Sequence, residues 1–398
     1  MDARAAAAVV FALIICPAAG LAREPRTDPS SGRIRLKYIG DCLAIQTPTR
    51  GIELDPLISL GLVPASIQEW AVDENQIGRY MRLYMPRTLG HLLDTTDVVM
   101  LSNTPTHYFR SEWIQWMASA TEEGVGLQMI GGYCSFGGYG NPDWGPTAVG
   151  GMLPVETIPA LAKRDFAFHL RPVAESDPLL SAFDWERAPL FYAVNNVKMR
   201  EGGKLLASTQ PEGMPLLAYQ DVGKGSTLAF MSTWGLPWGN DLVRWEYFID
   251  FSADMVYYSA GLEIPDPAIV HQIRTLFEKY ELSSMMVRSL LDFVDRLGGR
   301  ASKVHDSLAE LDLRRTGAEE MYREQDYPGC AEELSSLVEE MELLNGAALT
   351  AKDAALLWIY AIEWLSVTST ASLSGWVLWA LMMRRARYRA VATTRSSG

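Results

Sequence analysis

The sequence predicts an α/β domain with a doubly wound, mostly parallel sheet, followed by an α-helical stalk and one C-terminal transmembrane helix. Strand-like and helix-like segments alternate from residue 34 to about residue 262, which is typical of parallel strands joined by crossover helices. Residues 263–353 contain few strand formers and keep helical spacing throughout. Residues 364–383 carry no charge, and their length suits a membrane-spanning helix.

The first 22 residues have the pattern of a signal peptide. One arginine precedes an apolar run over residues 5–16, and small residues lead up to Ala22, after which cleavage is expected. The alternative is an uncleaved anchor, although the run is shorter than the roughly 20 apolar residues that a span requires. A signal peptide makes the body of the chain extracytoplasmic.

The predicted α/β domain covers residues 33–262, and its elements follow one another in a regular order. They are the strand "IRLKYIGD", the strand "DVVMLSNTP", the helix "RSEWIQWMASATEEG", the strand "VGLQMIGG", the hairpin "PLLAYQDVGKGSTLAFMST" and the helix "WEYFIDFSADMVYYSAG". The glycine at the end of each helix is the residue expected at a helix C-terminus.

The stalk, residues 263–353, includes a helix, a turn and a second helix in "AEEMYREQDYPGCAEELSSLVEEM". This segment resembles one tetratricopeptide-type hairpin, but no repeat at that period follows it. Two interpretations remain open: a stalk through which the protein forms oligomers, or a small bundle packed on the sheet domain.

Arginines at positions 384, 385, 387 and 389 follow the uncharged stretch directly. By the positive-inside rule they place the tail, residues 384–398, in the cytoplasm. The sequence therefore predicts a single-pass protein of the cell membrane with its C-terminus inside. The alternative is a buried helix with a basic tail.

Composition excludes some functions. The formal net charge of −13 argues against a nucleic-acid partner. After cleavage, Cys42, Cys134 and Cys330 remain, and they are too scattered for a zinc site or a disulfide framework. We expect no metal and no cofactor. The expected partners are the membrane and a protein or small-molecule ligand that the sequence does not identify.

The turn "LQMIGGYCSFGGYG" carries the most specific chemical signal. A buried strand stops at two glycines, and Cys134 follows one residue later. A strand, a tight turn and a following helix form a nucleophile elbow, in which backbone N–H groups activate the thiol and stabilise an oxyanion.

This turn, "GGYCSFGG", and the hairpin "DVGKGSTLAFMSTW" resemble the class I glutamine amidotransferase-like superfamily, and most closely its branch of uncharacterised membrane-attached members. The resemblance implies a flavodoxin-like sheet, with Cys134 at the position of the nucleophile. Active members carry the turn G-x-C-x-G-x-Q and a later His-x-Glu pair. Here Phe136 and Gly138 replace the second glycine and the glutamine, and the corresponding loop, residues 232–241, contains no histidine.

Another base is conceivable. His107 and Asp41 each follow a predicted strand and so face the same edge of the sheet as Cys134. The alternative for His107 is a surface loop histidine. Cys42 could instead form a redox pair with Cys134. His271 and His305 lie on helices without a visible partner.

Four residues beside the turns are candidate ligand contacts, because aromatic rings with polar neighbours can bind a sugar, a peptide or a partner loop. They are Tyr133, Ser135, Phe136 and Trp238. The alternative is that the rings only close the top of the domain.

Two functional hypotheses follow. In the first, the domain is a membrane-anchored, non-catalytic module that binds a ligand or a protein. In the second, it is an extracytoplasmic cysteine hydrolase or amidase with Cys134 as nucleophile and His107 as base, near Asp41. A thiol without a base within hydrogen-bond distance stays protonated at neutral pH, which favours the first hypothesis.

Overall fold

The structure is a computed structural model that describes residues 24–42, 49–65, 73–138, 143–158, 162–299 and 301–394. The predicted signal peptide lies outside the described residues. The chain divides into two compact units after Arg274. The predicted domain boundaries at residues 33, 262 and 353 stay predictions.

The first unit contains the strands, which are short and mostly buried. Their bounds are β1 Ile34–Gly40, β2 Ile58–Pro64, β3 Val98–Ser102, β4 Gly126–Ile130, β5 Val155–Thr157, β6 Lys163–Pro172, β7 Leu190–Asn195, β8 Val197–Met199, β9 Lys204–Gln210, β10 Pro215–Val222 and β11 Gly225–Phe230.

Nine strands of the described residues form one sheet in the order β2-β1-β3-β4-β11-β10-β9-β6-β7. Strands β2 through β11 in this order run parallel to their neighbours, whereas the pairs from β11 to β7 are antiparallel. Strands β5 and β8 form a separate antiparallel pair. The predicted α/β class is confirmed, and the sheet is mixed, with one parallel and one antiparallel half.

Ten α-helices lie within the described residues: α1 Arg50–Glu53, α2 Glu74–Tyr84, α3 Leu89–Thr95, α4 Ser111–Glu122, α5 Ala148–Met152, α6 Pro178–Ser181, α7 Phe248–Ala260, α8 Pro267–Arg296, α9 Ser302–Arg323 and α10 Tyr327–Thr394. Helix α4 contacts α3 and α5, and α7 contacts α1 and α6, while both α4 and α7 contact β4 and β11. Every residue of β3, β4 and β11 is buried, as expected for parallel strands covered on both faces.

The predicted order of elements in the α/β domain is confirmed. The six predicted segments correspond to β1, β3, α4, β4, the β10–β11 hairpin and α7. Helix α7 ends at Gly261, whose left-handed φ of 74° forms the expected glycine C-cap.

The second unit is helical. Helices α9 and α10 form the predicted hairpin around the turn before Tyr327. Its interior holds Tyr322 and Cys330, both fully buried, and the Cys330 thiol donates a hydrogen bond to the Ala318 carbonyl oxygen at 3.3 Å. Arg314 on α9 contacts Glu333 on α10 at 2.8 Å.

Helix α10 is continuous from the hairpin into the apolar C-terminal stretch. Among the described residues it is the one helix long and apolar enough to cross a membrane, over the candidate range Tyr327–Tyr388. Its apolar side chains are exposed, with Trp364 at 71 % and Trp376 at 65 %. A long exposed apolar surface of this kind suits a hydrocarbon environment better than water.

Candidate functional site

The cysteine turn begins where β4 ends, and its glycines allow close packing. Gly132 has a φ of +149°, and a Cβ at this position would lie 2.3 Å from Asn103 Oδ1. A side chain at position 132 would therefore collide with Asn103, which explains why the turn needs a glycine there.

Asn103 joins two of the predicted site residues. Its Oδ1 accepts a hydrogen bond from the backbone N–H of Cys134 at 3.0 Å, and its Nδ2 donates to Asp41 Oδ2 at 2.9 Å. Asn103 is fully buried and has a φ of +50°, a conformation that asparagine tolerates better than most residues. The structure thus brings Asp41 and Cys134 together through an asparagine that the sequence analysis missed.

A second buried asparagine holds the start of the turn. Asn195, at the end of β7, accepts from the Gly132 N–H at 2.9 Å and donates to the Gly132 carbonyl oxygen at 3.0 Å. The N–H groups of Gly132 and Cys134 are therefore both engaged within the protein. An oxyanion hole needs N–H groups directed at the substrate, and these two point at asparagine side chains.

The environment of the thiol opposes its ionisation. Cys134 is fully buried, and burial, followed by the negative charge of Asp41, raises the pKa of its thiol to about 12. Activated cysteines have the reverse arrangement, with a cationic or dipolar neighbour that lowers the pKa.

His107, the predicted base, lies in a short 3₁₀ helix after β3 and is exposed. Its ring contacts that of Tyr108, with centroids 4.2 Å apart. The pKa of Tyr108 is raised, mainly by burial and further by the negative charges of Glu74 and of Cys134 when ionised. The pairing of His107 with Cys134 stays a prediction.

The backbone of the turn differs from the predicted elbow. Among the non-glycine residues of the turn, the left-handed conformation belongs to Phe136, at φ +56°, and not to Cys134. Phe136 occupies the position where the family pattern has glycine, and its side chain is fully buried. No helix follows within the described part of the turn, because α5 begins only at Ala148. The strand and the tight turn are present, but the residues described directly after Cys134, up to residue 138, form no helix that would support a thiolate.

The four predicted ligand contacts differ in accessibility. Ser135, Phe136 and Trp238 are buried, and the Ser135 hydroxyl donates to the Ile130 carbonyl oxygen at 2.6 Å. Tyr133 is partly exposed and packs edge-on against Trp238, with centroids 5.1 Å apart. Lys163 Nζ lies 5.7 Å from the centre of the Tyr133 ring. In this conformation Tyr133 alone of the four offers accessible surface.

The loop after β11 is held by the side-chain hydroxyl of Thr233. Thr233 Oγ1 accepts from the N–H groups of Trp238 at 3.2 Å and Gly239 at 3.0 Å. The same hydroxyl donates to the Gly235 carbonyl oxygen at 2.6 Å. These bonds satisfy the backbone of the loop and give it a structural role.

A separate polar cluster surrounds Arg274 on α8. This buried guanidinium contacts Asp55 at 2.9 Å, Asp250 at 3.0 Å and Asp254 at 3.1 Å. Tyr257 donates to Asp55 Oδ1 at 2.8 Å. One cation thus faces three buried carboxylates, an arrangement that needs additional protons to balance its charge.

Two neighbouring groups supply positions for those protons. His271 Nδ1 lies 2.6 Å from Asp250 Oδ2, and this hydrogen bond raises the pKa of His271. Burial raises the pKa of Asp254 to about 7. The sequence analysis found no partner for His271 or His305, and this was wrong. Asp250 lies 21 residues from His271 on another helix, and Asp295 Oδ2 lies 3.2 Å from His305 Nε2.

The described residues were also compared with the requirements of a metal site and of a cysteine pair. Among the described residues, no group of three or more His, Cys, Asp and Glu side chains is arranged to hold a metal ion. Cys42 and Cys134 are both buried thiols and are not joined by a disulfide.

The domain combines an α/β fold with a cysteine turn that follows β4, a central parallel strand. Residues 93–258 match the family model described as "Putative glutamine amidotransferase". The resemblance to the glutamine amidotransferase-like superfamily is therefore confirmed for this part of the chain. A comparison with curated proteins found no significant match.

The chain is also similar to solved structures. Cytoplasmic protein STM3548 from Salmonella typhimurium is 17% identical with a TM-score of 0.48, over 57% of this chain and 99% of that chain. Cytoplasmic protein STM1381 from Salmonella typhimurium LT2 is 19% identical with a TM-score of 0.47, over the same shares. A ThuA-like protein from Bacteroides uniformis is 11% identical with a TM-score of 0.35, over 60% and 93%.

Proposed function

We propose that this chain is a membrane-anchored module in which an amidotransferase-like domain binds a ligand or a partner protein and does not hydrolyse glutamine. One observation carries the proposal: the Cys134 thiol is fully buried, and its pKa is raised to about 12. A protonated thiol is a poor nucleophile.

Two further features support it. The backbone N–H of Cys134 donates to Asn103 and is not directed toward a substrate. The carboxylate of Asp41 acts on the thiol and raises its pKa, whereas an activated cysteine has a cationic or dipolar neighbour that lowers it.

The anchor is the apolar part of α10, with the arginines after residue 383 on the cytoplasmic side. The α/β domain then lies outside the cytoplasm. A protease-protection assay on intact cells, with a tag at the C-terminus, tests this topology. Cleavage of the α/β domain with protection of the tag is the expected result.

The proposal predicts that Cys134 in the folded full-length protein reacts with iodoacetamide roughly a thousandfold more slowly at pH 7 than an ordinary cysteine, because its thiolate fraction is that much lower. Rates are measured site by site by mass spectrometry between pH 6 and pH 9. Cys330, also buried but remote in sequence from the turn, is the matched control.

Rapid alkylation of Cys134 below pH 8, with Cys330 unreactive, would contradict the proposal. So would glutamine hydrolysis that Cys134→Ser abolishes and Cys42→Ser preserves. Either result would establish the cysteine hydrolase instead.

A further inference from the structure

A basic groove lies beside the start of α4, away from the polar cluster of Arg274. One part is a cavity of about 480 Å³ whose lining includes Arg82, Arg87, Arg110, Trp113 and Trp116. We call the whole surface the arginine groove.

A second concave part continues the groove along α2. Its volume is about 540 Å³, it shares Arg82 with the first part, and Arg79, Tyr80 and Leu83 also line it. The two cavities are therefore neighbours that share Arg82 in their linings.

The four arginines of the groove, at positions 79, 82, 87 and 110, are exposed. None of them forms an ion pair with a described residue, although the protein as a whole is acidic. The guanidinium of Arg110 lies 5.1 Å from the centre of the Trp113 ring, which fixes its direction through a cation–π contact. The groove therefore presents four exposed arginines that form no ion pair with a described residue.

Apolar side chains form the floor of the first cavity, where Met85, Trp113 and Trp116 line it. Met85 and Trp113 are buried, and Trp116 is partly exposed. A ligand that fills the groove must therefore offer apolar or aromatic groups as well as negative charge. Glu112, the one acidic residue lining the first cavity, adds an acceptor suited to a backbone N–H.

We propose that the arginine groove binds a short acidic segment of a partner protein, with carboxylates on the arginines and an aromatic or aliphatic side chain on the tryptophan floor. Guanidinium groups bind carboxylates in a bidentate geometry and stack on rings. An acidic segment would be the partner of the proposed binding module, so this proposal rests on the proposed binding function.

The shape of the groove favours a peptide over a membrane surface. A planar headgroup layer contacts protruding residues, whereas an extended chain can place side chains in two neighbouring cavities. Glu112 would repel a simple anion but can accept a hydrogen bond from a peptide N–H.

The test uses the full-length protein in a non-ionic detergent and a labelled peptide of alternating glutamate and phenylalanine, followed by fluorescence anisotropy. The groove variant carries Arg82→Gln, Arg87→Gln and Arg110→Gln. The control variant carries Arg164→Gln, Arg171→Gln and Arg187→Gln, which remove the same charge from exposed positions elsewhere.

We expect binding that weakens with salt and falls by roughly tenfold or more in the groove variant, since three charge-assisted contacts are lost. The control variant is expected to change the affinity by less than about threefold. A peptide with glutamine in place of glutamate should not bind. Unchanged melting temperatures verify that both variants fold.

Three results would overturn the inference: no peptide binding, an equal loss in both variants, or binding of phosphatidylglycerol vesicles without binding of the peptide. Equally effective competition by inorganic phosphate would also reject a peptide in favour of a general anion site. None of these results bears on the alkylation rate of Cys134, so the proposed function is tested separately.

Discussion

Arg274 and the arginines of the groove illustrate opposite uses of the same side chain within one unit. Arg274 is 1 % exposed and contacts three carboxylates. The groove arginines are exposed and form no ion pair among the described residues. Buried charge of the first kind serves the fold, whereas unpaired charge of the second kind is available to a ligand.

The cysteine turn resembles the first of these regions. The N–H groups of Gly132 and Cys134 are bound to asparagines, and the thiol is buried. A motif that suggests catalysis in the sequence is, in the structure, part of the internal hydrogen bonding. Substitutions in this turn are therefore expected to change the free energy of unfolding.

The largest effect is expected for Arg274→Met. Loss of the guanidinium removes the cation that Asp55, Asp250 and Asp254 share, which should lower the free energy of unfolding by about 3–5 kcal/mol at pH 7. Arg314→Met, in an ion cluster that is partly exposed, should cost only about 0–1 kcal/mol. Urea unfolding of the full-length protein measures both. Equal losses would remove the distinction between buried and exposed arginines.

The next effect concerns pH. The folded protein holds a proton on Asp254 up to about pH 7, whereas the unfolded chain releases it near pH 4. The folded state binds more protons in this window, so the free energy of unfolding should fall as pH rises from about 4 to about 7. His271, whose pKa is also raised, contributes in the same direction above its ordinary pKa.

Asp254→Asn should reduce the change in the free energy of unfolding between about pH 4 and pH 7 by roughly 2–4 kcal/mol, because asparagine imitates the protonated acid. Asp165→Asn, at an exposed position, is the matched control and should leave the slope unchanged. A slope that persists in Asp254→Asn would assign the protons to another group.

The smallest of the three effects is expected for Asn103→Ala. This change removes the bonds to Cys134 and Asp41 and places alanine at a positive φ, so we expect a loss of about 1–3 kcal/mol. Asn75→Ala, on the exposed face of α2, should change stability by less than about 0.5 kcal/mol. A neutral Asn103→Ala would mean that the turn does not depend on this asparagine.

Much of the α/β architecture could be predicted from the sequence, because strands such as β3 and β4 are short apolar runs closed by turn residues. The strand pairing in the antiparallel half was harder to predict, because exposed and buried positions alternate only weakly along β6.

The polar network of the site could not be predicted in the same way. Asn103 and Cys134 are 31 residues apart, and Arg274 and Asp55 are 219 apart. Such pairs leave no periodic pattern, so single residues like Asn103 and His271 do not reveal their partners in a sequence. The groove likewise combines residues from α2 and α4 that carry no shared motif.

Asn103 also offers a criterion for other sequences with this turn. Glycine there would permit the backbone conformation but supply neither hydrogen bond, and aspartate would supply an acceptor while placing a second negative group beside Asp41. Only an uncharged side chain with both an acceptor and a donor does what Asn103 does. A homologous chain whose residue at this position has no acceptor should lose the hydrogen bond that holds the cysteine N–H, so this one position indicates whether that N–H is engaged within the protein.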